Sequence, residues 1–285
     1  MVTAEIQDLT RDDYELFRRL VYTHSGINLG DQKMQLVRAR LGKRVRSGGF
    51  KSFRDYYRHV ENDPSGQELC SLLDAISTNT THLFREIRHF KLLAEILKNM
   101  LEKRKWRSEH NTIRIWSAAC SSGEEPHSIA MVAHNAILRH PNVALKILAT
   151  DISLQMLSRA QLGIYDIHRV GTVPAEFRQR YFQKTQSEDR QTLLQIVPEL
   201  RRLITFSRFN LMTPTFPFRH GFDVIFCRNV MIYFDRTTQQ TLVNKLAQHL
   251  RPGGYLMIGH SESLNNLNQP LSYIEPTVYR KSGGY

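Results

Sequence analysis

Acidic side chains follow two apolar segments that resemble buried strands. Glu124 and Glu125 lie in the small-residue turn Trp116–Pro126, which leads into a helix, and Asp151 follows the apolar run Ala144–Ala149. Small side chains let a ligand lie close to the backbone, and a helix start offers unpaired N–H groups. Two carboxylates would repel a pyrophosphate and attract a positively charged cofactor. The alternatives are an ordinary turn with exposed acids and, for Asp151, a helix cap.

Another apolar segment ends in two side chains that are rich in hydrogen-bond donors. The run Phe222–Cys227 is followed by Arg228 and Asn229, and Tyr233 comes shortly after them. Buried strands rarely end in such a pair unless the donors have partners. The Tyr233 hydroxyl could reach a site at the same sheet edge. We therefore expect ligand-binding residues here as well.

These side chains need a scaffold that brings the strand ends together. From Thr112 onward, short apolar runs alternate with helical stretches, which predicts a mostly parallel sheet with helices on both faces. Such a sheet binds ligands beyond the carboxyl ends of its strands. The predicted strands are Ile113–Ala118, Ala144–Ala149, Phe222–Cys227 and Tyr255–Ile258, and the predicted helices are Pro126–Leu138, Leu154–Leu162 and Thr237–Leu250.

The chain divides into three predicted parts. Apolar residues at helical spacing predict a small N-terminal helical domain over residues 1–77, followed by a connection over 78–110 and the sheet domain over 111–285. The connection is predicted to hold a helix from Leu83 toward Leu101, and then a charged loop, Lys103–His110.

One polar segment interrupts the alternation of strands and helices. Residues of about 165–208 are predicted to form an inserted subdomain. It has a short helix near Pro174–Tyr181 and strand-like pieces around Leu193–Val197 and Leu203–Phe206.

Positive charge is concentrated in the N-terminal domain. The chain of 285 residues carries 39 Lys and Arg against 27 Asp and Glu, a net charge of +12, which favours an acidic partner. If Asp31–Ser47 is a helix, Met34, Val37, Leu41 and Val45 form an apolar stripe. A second stripe is basic and is predicted to face outward: Lys33, Arg40, Lys43 and Arg44. We call this second set the basic stripe. It is interpreted as a docking surface, and a solvated face that binds nothing is the alternative.

Two classes of protein are disfavoured by the sequence. No apolar run approaches the roughly 18 residues that cross a bilayer, and the first residues lack the pattern of a secretory signal. The three cysteines are scattered, without the CxxC spacing of a zinc site or a disulfide framework. We expect a cytoplasmic protein without membrane insertion and without a metal.

Several strings together resemble the chemotaxis receptor methyltransferases, the CheR family. They occur in the family's order over most of the chain from residue 77: Ser77–Glu86, Trp116–Ala130, Ala149–Ser153, Phe209–Leu211, Phe226–Asp235 and Gly259–Leu264. The resemblance implies an α/β fold, a class I S-adenosylmethionine-dependent methyltransferase (Rossmann-like) doubly wound sheet. It also implies an N-terminal all-α domain that meets the substrate.

The resemblance also implies the residues of the site. The implied cofactor contacts are Asn79, Thr81, Arg85, Glu125, Asp151, Asn210, Leu211, Arg228 and Asn229. Of these, Asn79, Thr81 and Asn210 rest on the resemblance alone, and their alternative roles are a helix cap or a turn. Arg85 and Tyr233 are expected nearest the reacting atoms.

The implied reaction methylates glutamate side chains of chemoreceptors, giving glutamyl methyl esters and S-adenosylhomocysteine. A glutamate of pKa about 4.3 is already ionised at neutral pH, so no general base is required. His127 and His260 are therefore assigned capping or packing roles. Alignment and removal of water are what the protein must supply.

The substrate is expected to be the cytoplasmic helical region of chemoreceptors, against which the basic stripe could dock. Many family members bind a receptor's C-terminal pentapeptide through a glycine-rich loop of the inserted subdomain. The corresponding stretch here, Gln183–Gln191, has no glycine, which places such a tether in doubt. Two alternatives are a nucleic-acid methyltransferase and a noncatalytic adaptor that binds the cofactor. The Asn/Asp-Pro-Pro-aromatic run typical of base methylation is not found, and we expect no nucleic-acid partner.

Overall fold

A computed structural model of the protein describes residues 7–103, 111–186 and 192–283. Apolar residues at helical spacing build the first part of the chain. Four helices pack around one core: α1 (Arg11–Ser25), α2 (Met34–Ser47), α3 (Phe53–Glu61) and α4 (Gln67–Ile76). Phe17, Leu41, Tyr56 and Leu72 are fully buried in this core. The side chain of Thr10 begins α1, because it accepts a hydrogen bond from the Asp13 amide.

The remaining described elements alternate between helices and strands. The helices are α5 (Ile87–Lys103), α6 (Glu124–Ile137), α7 (Leu154–Leu162), α8 (Ala175–Tyr181), α9 (Pro198–Arg201) and α10 (Arg236–His249). The strands are β1 (Thr112–Ala118), β2 (Ala144–Asp151), β3 (Ile164–Asp166), β4 (Phe182–Gln186), β5 (Thr192–Ile196), β6 (Ile204–Arg208), β7 (Phe222–Cys227), β8 (Leu250–Ile258), β9 (Leu271–Glu275) and β10 (Val278–Lys281).

Seven of these strands form one sheet in the order β6-β2-β1-β7-β8-β10-β9. The five strands from β6 to β8 are parallel, and β10 is antiparallel to both of its neighbours. Side chains of β7 alternate between two cores. Val224 and Phe226 pack on the side of α5 and α6, whereas Ile225 and Cys227 pack on the side of α10. The parallel sheet with helices on both faces, predicted from the sequence, is confirmed.

The inserted subdomain is smaller than predicted. A three-stranded antiparallel sheet, in the order β3-β5-β4, carries it together with α8. The prediction that the piece around Leu203–Phe206 belongs to the insertion is wrong. It lies in β6, which pairs in parallel with β2 and forms an edge of the large sheet. A short apolar run cannot by itself reveal which sheet it joins. Residues 187–191 of the glycine-free stretch lie outside the described residues.

The connection between the two domains also differs from its prediction. The helix begins at Ile87 rather than near Leu83. Phe84 and Glu86 have φ of 55° and 60°, which no α-helix accepts, so the preceding residues form an irregular turn. Residues 104–110 of the predicted charged loop lie outside the described residues. Within the described ranges, every helix is too short or too polar to cross a bilayer.

The basic stripe does not face outward as a unit, which corrects the prediction for two of its four members. Arg40 donates hydrogen bonds to the carbonyls of Ile76 and Ser77, where α4 ends. These carbonyls need partners because no helical N–H follows them. Arg44 forms an ion pair with Glu68, with a nitrogen–oxygen distance of 2.6 Å, and also donates to the Tyr56 hydroxyl. Lys33 and Lys43 are exposed.

Replacing Arg44 by glutamine should destabilise the helical domain. We expect a loss of about 1–2 kcal/mol in the free energy of unfolding, a figure limited because solvent screens a side chain that is partly exposed. Lys43→Gln removes the same charge from the next residue and should change stability by less than about 0.5 kcal/mol. Urea unfolding measures both variants. Equal stabilities would show that the Arg44 contacts contribute nothing.

Candidate cofactor-binding cleft

A cleft lies between the helical domain and the carboxyl ends of β1, β2 and β7. The space between its walls is about 1450 Å³ when the solvent at its open mouth is counted. Its walls contain all nine predicted cofactor residues, namely Asn79, Thr81, Arg85, Glu125, Asp151, Asn210, Leu211, Arg228 and Asn229. Tyr233 and Lys33 also line it, whereas Arg40, Lys43 and Arg44 do not. Side chains that are far apart in the sequence thus share one cavity.

The turn after β1 forms the floor of the cleft. Ala119, Ser121 and Gly123 all have positive φ, with values of 64°, 47° and 94°. A Cβ atom on Gly123 would lie 2.8 Å from Ala160, so a larger residue could not fit there without displacing α7. This tight turn aims the Ser121 amide at the tip of β2.

Asp151 receives that amide. Its Oδ2 accepts from Ser121 N at 2.8 Å, and its Oδ1 accepts from Ser153 N at 2.9 Å. Burial raises the pKa of this carboxyl, and the two backbone N–H donors oppose the rise. Asp151 therefore orders two loops while lining the cleft. It does not cap α7, because the Ser153 side chain does so by accepting from the Met156 amide.

The two glutamates of the turn have different surroundings. Glu125 lines the cleft, and its Oε1 accepts from the Ser117 hydroxyl at 2.7 Å. Glu124 is not among the residues that line the cleft; its side chain is fully buried, accepts from the Ser122 hydroxyl, and lies 3.4 Å from the Arg169 guanidinium. The expectation that the turn offers two carboxylates to a ligand is therefore corrected to one.

Arg228 is the buried centre of the cleft wall. Its Nε lies 2.8 Å from Glu125 Oε2, and its Nη2 donates to the Arg85 carbonyl at 2.7 Å. Its Nη1 lies 2.8 Å from His89 Nδ1. A buried guanidinium at the end of a strand requires hydrogen-bond partners, and these contacts supply them.

Glu86, His89 and His260 form a group that could resemble a metal site, because their ligand atoms lie within 4.8 Å of one another. The Arg228 guanidinium already lies against this group, 3.7 Å from Glu86 Oε2. Burial, together with this cation, lowers the pKa of His89 to about 4. The three residues therefore surround the Arg228 guanidinium, and the buried imidazole of His89 is neutral near pH 7.

Glu262 is a residue that the sequence analysis missed. Its carboxylate accepts from the amides of Asn229, Met231 and Gly259, at 2.9, 2.7 and 2.5 Å. These bonds fix the turn after β7, where Asn229 has φ of 58°. The signal was an acid four residues beyond β8, inside the string Gly259–Leu264.

The connection before α5 supplies part of the other wall, next to residues of the helical domain between Ser25 and Leu36. The Asn79 carbonyl accepts from the Ser121 hydroxyl at 3.2 Å, and Arg85 Nη1 donates to the Thr80 carbonyl at 2.9 Å. Asn210 Oδ1 accepts from the Met212 amide at 2.9 Å, which closes a local turn.

The two histidines considered from the sequence do not line the cleft. His127 packs against Tyr165 under the turn, and the side chain of His260 is 57% exposed.

Comparison with known proteins matches the chain to two domains of one family. Residues 12–77 match "CheR methyltransferase, all-alpha domain" and residues 79–280 match "CheR methyltransferase, SAM binding domain". The chain belongs to the CheR methyltransferase family. It is 40% identical over 280 residues to the "Chemotaxis protein methyltransferase" of Borreliella burgdorferi, covering 96% of each chain.

Two further relatives are similarly complete. "Chemotaxis protein methyltransferase 2" of Pseudomonas aeruginosa is 37% identical, covering 95% of this chain and 93% of the relative. The "Chemotaxis protein methyltransferase" of Salmonella typhimurium is 38% identical, with 93% and 90% covered. The expected class I methyltransferase fold and the cofactor S-adenosylmethionine are thereby confirmed.

The cleft has the chemistry that this cofactor requires. S-adenosylmethionine combines positive charge with a ribose diol and an apolar adenine. Glu125 and Asp151 offer carboxylate oxygens, and the apolar side chains of Ile152, Phe209 and Leu211 line the same space. Asp151 would hold the ribose hydroxyls, as acids at this strand tip do in nucleotide-binding sheets.

Asp151→Asn should weaken binding of S-adenosylmethionine about ten- to hundredfold. An asparagine has one acceptor oxygen, so its NH₂ group would face a backbone N–H of Ser121 or Ser153. Asp166→Asn is the control, because Asp166 caps a short helical turn and is not among the residues that line the cleft. Calorimetry measures both. Undiminished affinity in a folded Asp151→Asn protein would contradict this placement.

His127 predicts a pH dependence of stability. Burial lowers its pKa to about 3, against about 6.5 in the unfolded chain. Between these values the unfolded chain binds a proton that the native protein does not, so stability falls with falling pH by about 1.4 kcal/mol per unit. His127→Gln should remove this contribution, whereas His220→Gln, at an exposed position, should not. Urea unfolding from pH 6.5 to 4.5 tests this; identical slopes for both variants would refute it.

Proposed function

We propose that the protein transfers the methyl group of S-adenosylmethionine to glutamate side chains of chemoreceptors, giving γ-glutamyl methyl esters and S-adenosylhomocysteine. The observation that carries the proposal is the shared cleft. Residues at the strand ends and in the turn before α5 line it together with residues of the all-α domain, and relatives that match most of the chain are named chemotaxis protein methyltransferases. The substrate would be the cytoplasmic helical region of these receptors, which makes a cytoplasmic location part of the proposal.

The chemistry requires little from acid–base groups. S-adenosylmethionine supplies an electrophilic methyl group on a sulfonium. A glutamate acceptor is already ionised near neutral pH, so the protein need only align it and exclude water.

Arg85 and Tyr233 are proposed to act on the acceptor. Both line the cleft, and both are partly exposed rather than buried. The Thr80 carbonyl holds Arg85 Nη1, which orients the planar guanidinium toward a carboxylate. The Tyr233 hydroxyl would orient the acceptor oxygen. Too strong an ion pair would stabilise the ground state, so positioning is the role we assign to Arg85.

We propose that the two exposed lysines of the basic stripe help to dock the receptor. Lys33 lines the cleft and Lys43 lies exposed further along α2. Two lysines on this side of the cleft would attract an acidic receptor helix and make association sensitive to salt.

The deciding experiment follows tritium from labelled S-adenosylmethionine onto receptor-containing membranes. A base-labile methyl ester on the receptor is expected. Label on RNA or DNA would favour the nucleic-acid alternative, and binding of the cofactor with no transfer to any acceptor would favour a noncatalytic adaptor.

Arg85→Ala should lower the rate of receptor methylation about a hundredfold, because a misplaced acceptor loses the alignment that the reaction depends on. Arg88→Ala is the matched control. Arg88 is exposed, pairs with Glu275 and is not among the residues lining the cleft, so its replacement should leave the rate within about twofold. The same filter assay measures both. Wild-type rate and cofactor affinity in Arg85→Ala would remove Arg85 from the mechanism.

A further inference from the structure

The end of α1 contacts the methyltransferase domain beside the cleft. We call the residues Tyr22–Asn28 the α1 corner. Gly26 ends the helix with φ of 72°, and its amide donates to the Tyr22 carbonyl at 2.8 Å. A Cβ atom on Gly26 would lie 2.4 Å from Met212 Sδ, so the backbone of the corner lies against the other domain. Ile27 packs against both the helical core and the core beneath α10.

Three hydrogen bonds join the α1 corner to the methyltransferase domain, two of them at residues that line the cleft. The Tyr22 hydroxyl donates to Asp235 Oδ2 at 2.6 Å, and the Asn28 amide donates to the Tyr233 carbonyl at 2.8 Å. Asn210 Nδ2 donates to the His24 carbonyl at 2.6 Å. Two of these bonds therefore hold the short segment that carries the Tyr233 side chain, one on the residue itself and one just beyond it.

Asp235 is held from both sides. Its Oδ1 accepts from the Thr238 amide at 2.8 Å and begins α10, while its Oδ2 accepts from Tyr22. The hydrogen bond from Tyr22 lowers the pKa of this carboxyl, followed by that from Thr238. The helix cap needs only the Thr238 contact, and Ile27 already supplies apolar packing between the domains. The remaining role for the Tyr22 contact is to orient the segment that carries Tyr233.

We propose that Tyr22 and Asp235 are positioning residues for methyl transfer, which lock the Tyr233 segment to the helical domain. The inference rests on the proposed function, because it assigns Tyr233 to the acceptor. Without the Tyr22 hydroxyl, the hydrogen bond from the Asn28 amide is the one that remains between this segment and the α1 corner within the described residues. A displacement of about 1 Å near the reacting atoms can cost up to a hundredfold in rate. An exposed hydrogen bond at the rim should cost less than that limit.

Tyr22→Phe removes the hydroxyl and keeps the ring. We expect kcat for receptor methylation to fall about five- to tenfold, while the Kd for S-adenosylmethionine and the Tm stay close to wild type. Tyr57→Phe is the matched control. The Tyr57 hydroxyl also donates to a carboxylate, Glu61, at 3.0 Å within α3, and neither residue lines the cleft.

A double-mutant cycle separates the contact from general destabilisation. Asp235→Asn keeps a good helix cap and weakens the acceptor for Tyr22. It should lower kcat by a similar factor, and the double variant should show no further loss. Additive losses, or a fall in kcat accompanied by a proportional fall in Tm, would overturn the proposal.

Hydrogen exchange gives a readout that does not depend on the substrate. Amides of the segment 231–235 should exchange faster in Tyr22→Phe than in Tyr57→Phe, with the rest of the methyltransferase domain unchanged. Unchanged exchange in this segment would overturn the positioning role whatever the acceptor. Faster exchange in an enzyme that methylates no receptor would instead leave the lock established and refute the proposed function.

Discussion

One buried guanidinium connects the parts that make the cleft. The side chain of Arg228 is 2% exposed, and isolated burial of such a charge would cost several kcal/mol. It is tolerated because Glu125, His89 and the Arg85 carbonyl come to it from α6, α5 and the turn before α5. Loss of any of these contacts would leave a buried charge short of partners. The geometry of three chain segments is therefore fixed by the requirement to satisfy one side chain.

The same requirement sets the electrostatics of the site. Burial disfavours the ionised form of Glu125, and Arg228 and the Ser117 hydroxyl oppose that effect, although the pKa remains raised. For Glu86, Arg228 and His260 outweigh burial and the pKa is lowered. A cationic cofactor in the cleft thus meets the Glu125 carboxylate, whose charge is shared with a fixed arginine. Carboxylates attract a sulfonium more strongly than they attract a product without that charge, and the fixed arginine moderates this attraction.

Local patterns predicted much of the fold and part of the site. The runs Phe222–Cys227 and Leu154–Leu162 coincide with β7 and α7, because burial on both faces or on one stripe leaves a clear apolar signature. Polar residues at the ends of such strands mark the ligand edge, and Arg228 and Asp151 were found in this way. Asn79, Thr81 and Asn210 lie in irregular segments with no such signature, so only the resemblance points to them.

Contacts between distant segments were not predictable by the same reasoning. A basic stripe on α2 cannot show that Glu68 on α4 pairs with Arg44, since the partner is 24 residues away. The apolar run of β6 is compatible with a strand in either sheet. It joins the large sheet because it pairs with β2 at the edge of that sheet. Glu262 lies 33 residues from Asn229, whose amide it binds, so its role appears only in three dimensions. The spacing of residues predicts which secondary structure a segment can form. Its position in the fold also depends on distant residues that pair with its hydrogen-bond donors and charges.

The proposed reaction explains why the site needs two domains. A carboxylate acceptor and a sulfonium donor lose charge together, so neither proton transfer nor stabilisation of new charge accounts for the catalysis. The remaining contributions are approach geometry and the exclusion of water, and both require walls on opposite sides of the reacting atoms. The strand ends supply one wall and the residues from Ser25 to Leu36 supply part of the other. The helical domain is then a structural component of the active site as well as a surface for the receptor, and the contacts at its α1 corner determine how accurately the two walls face each other.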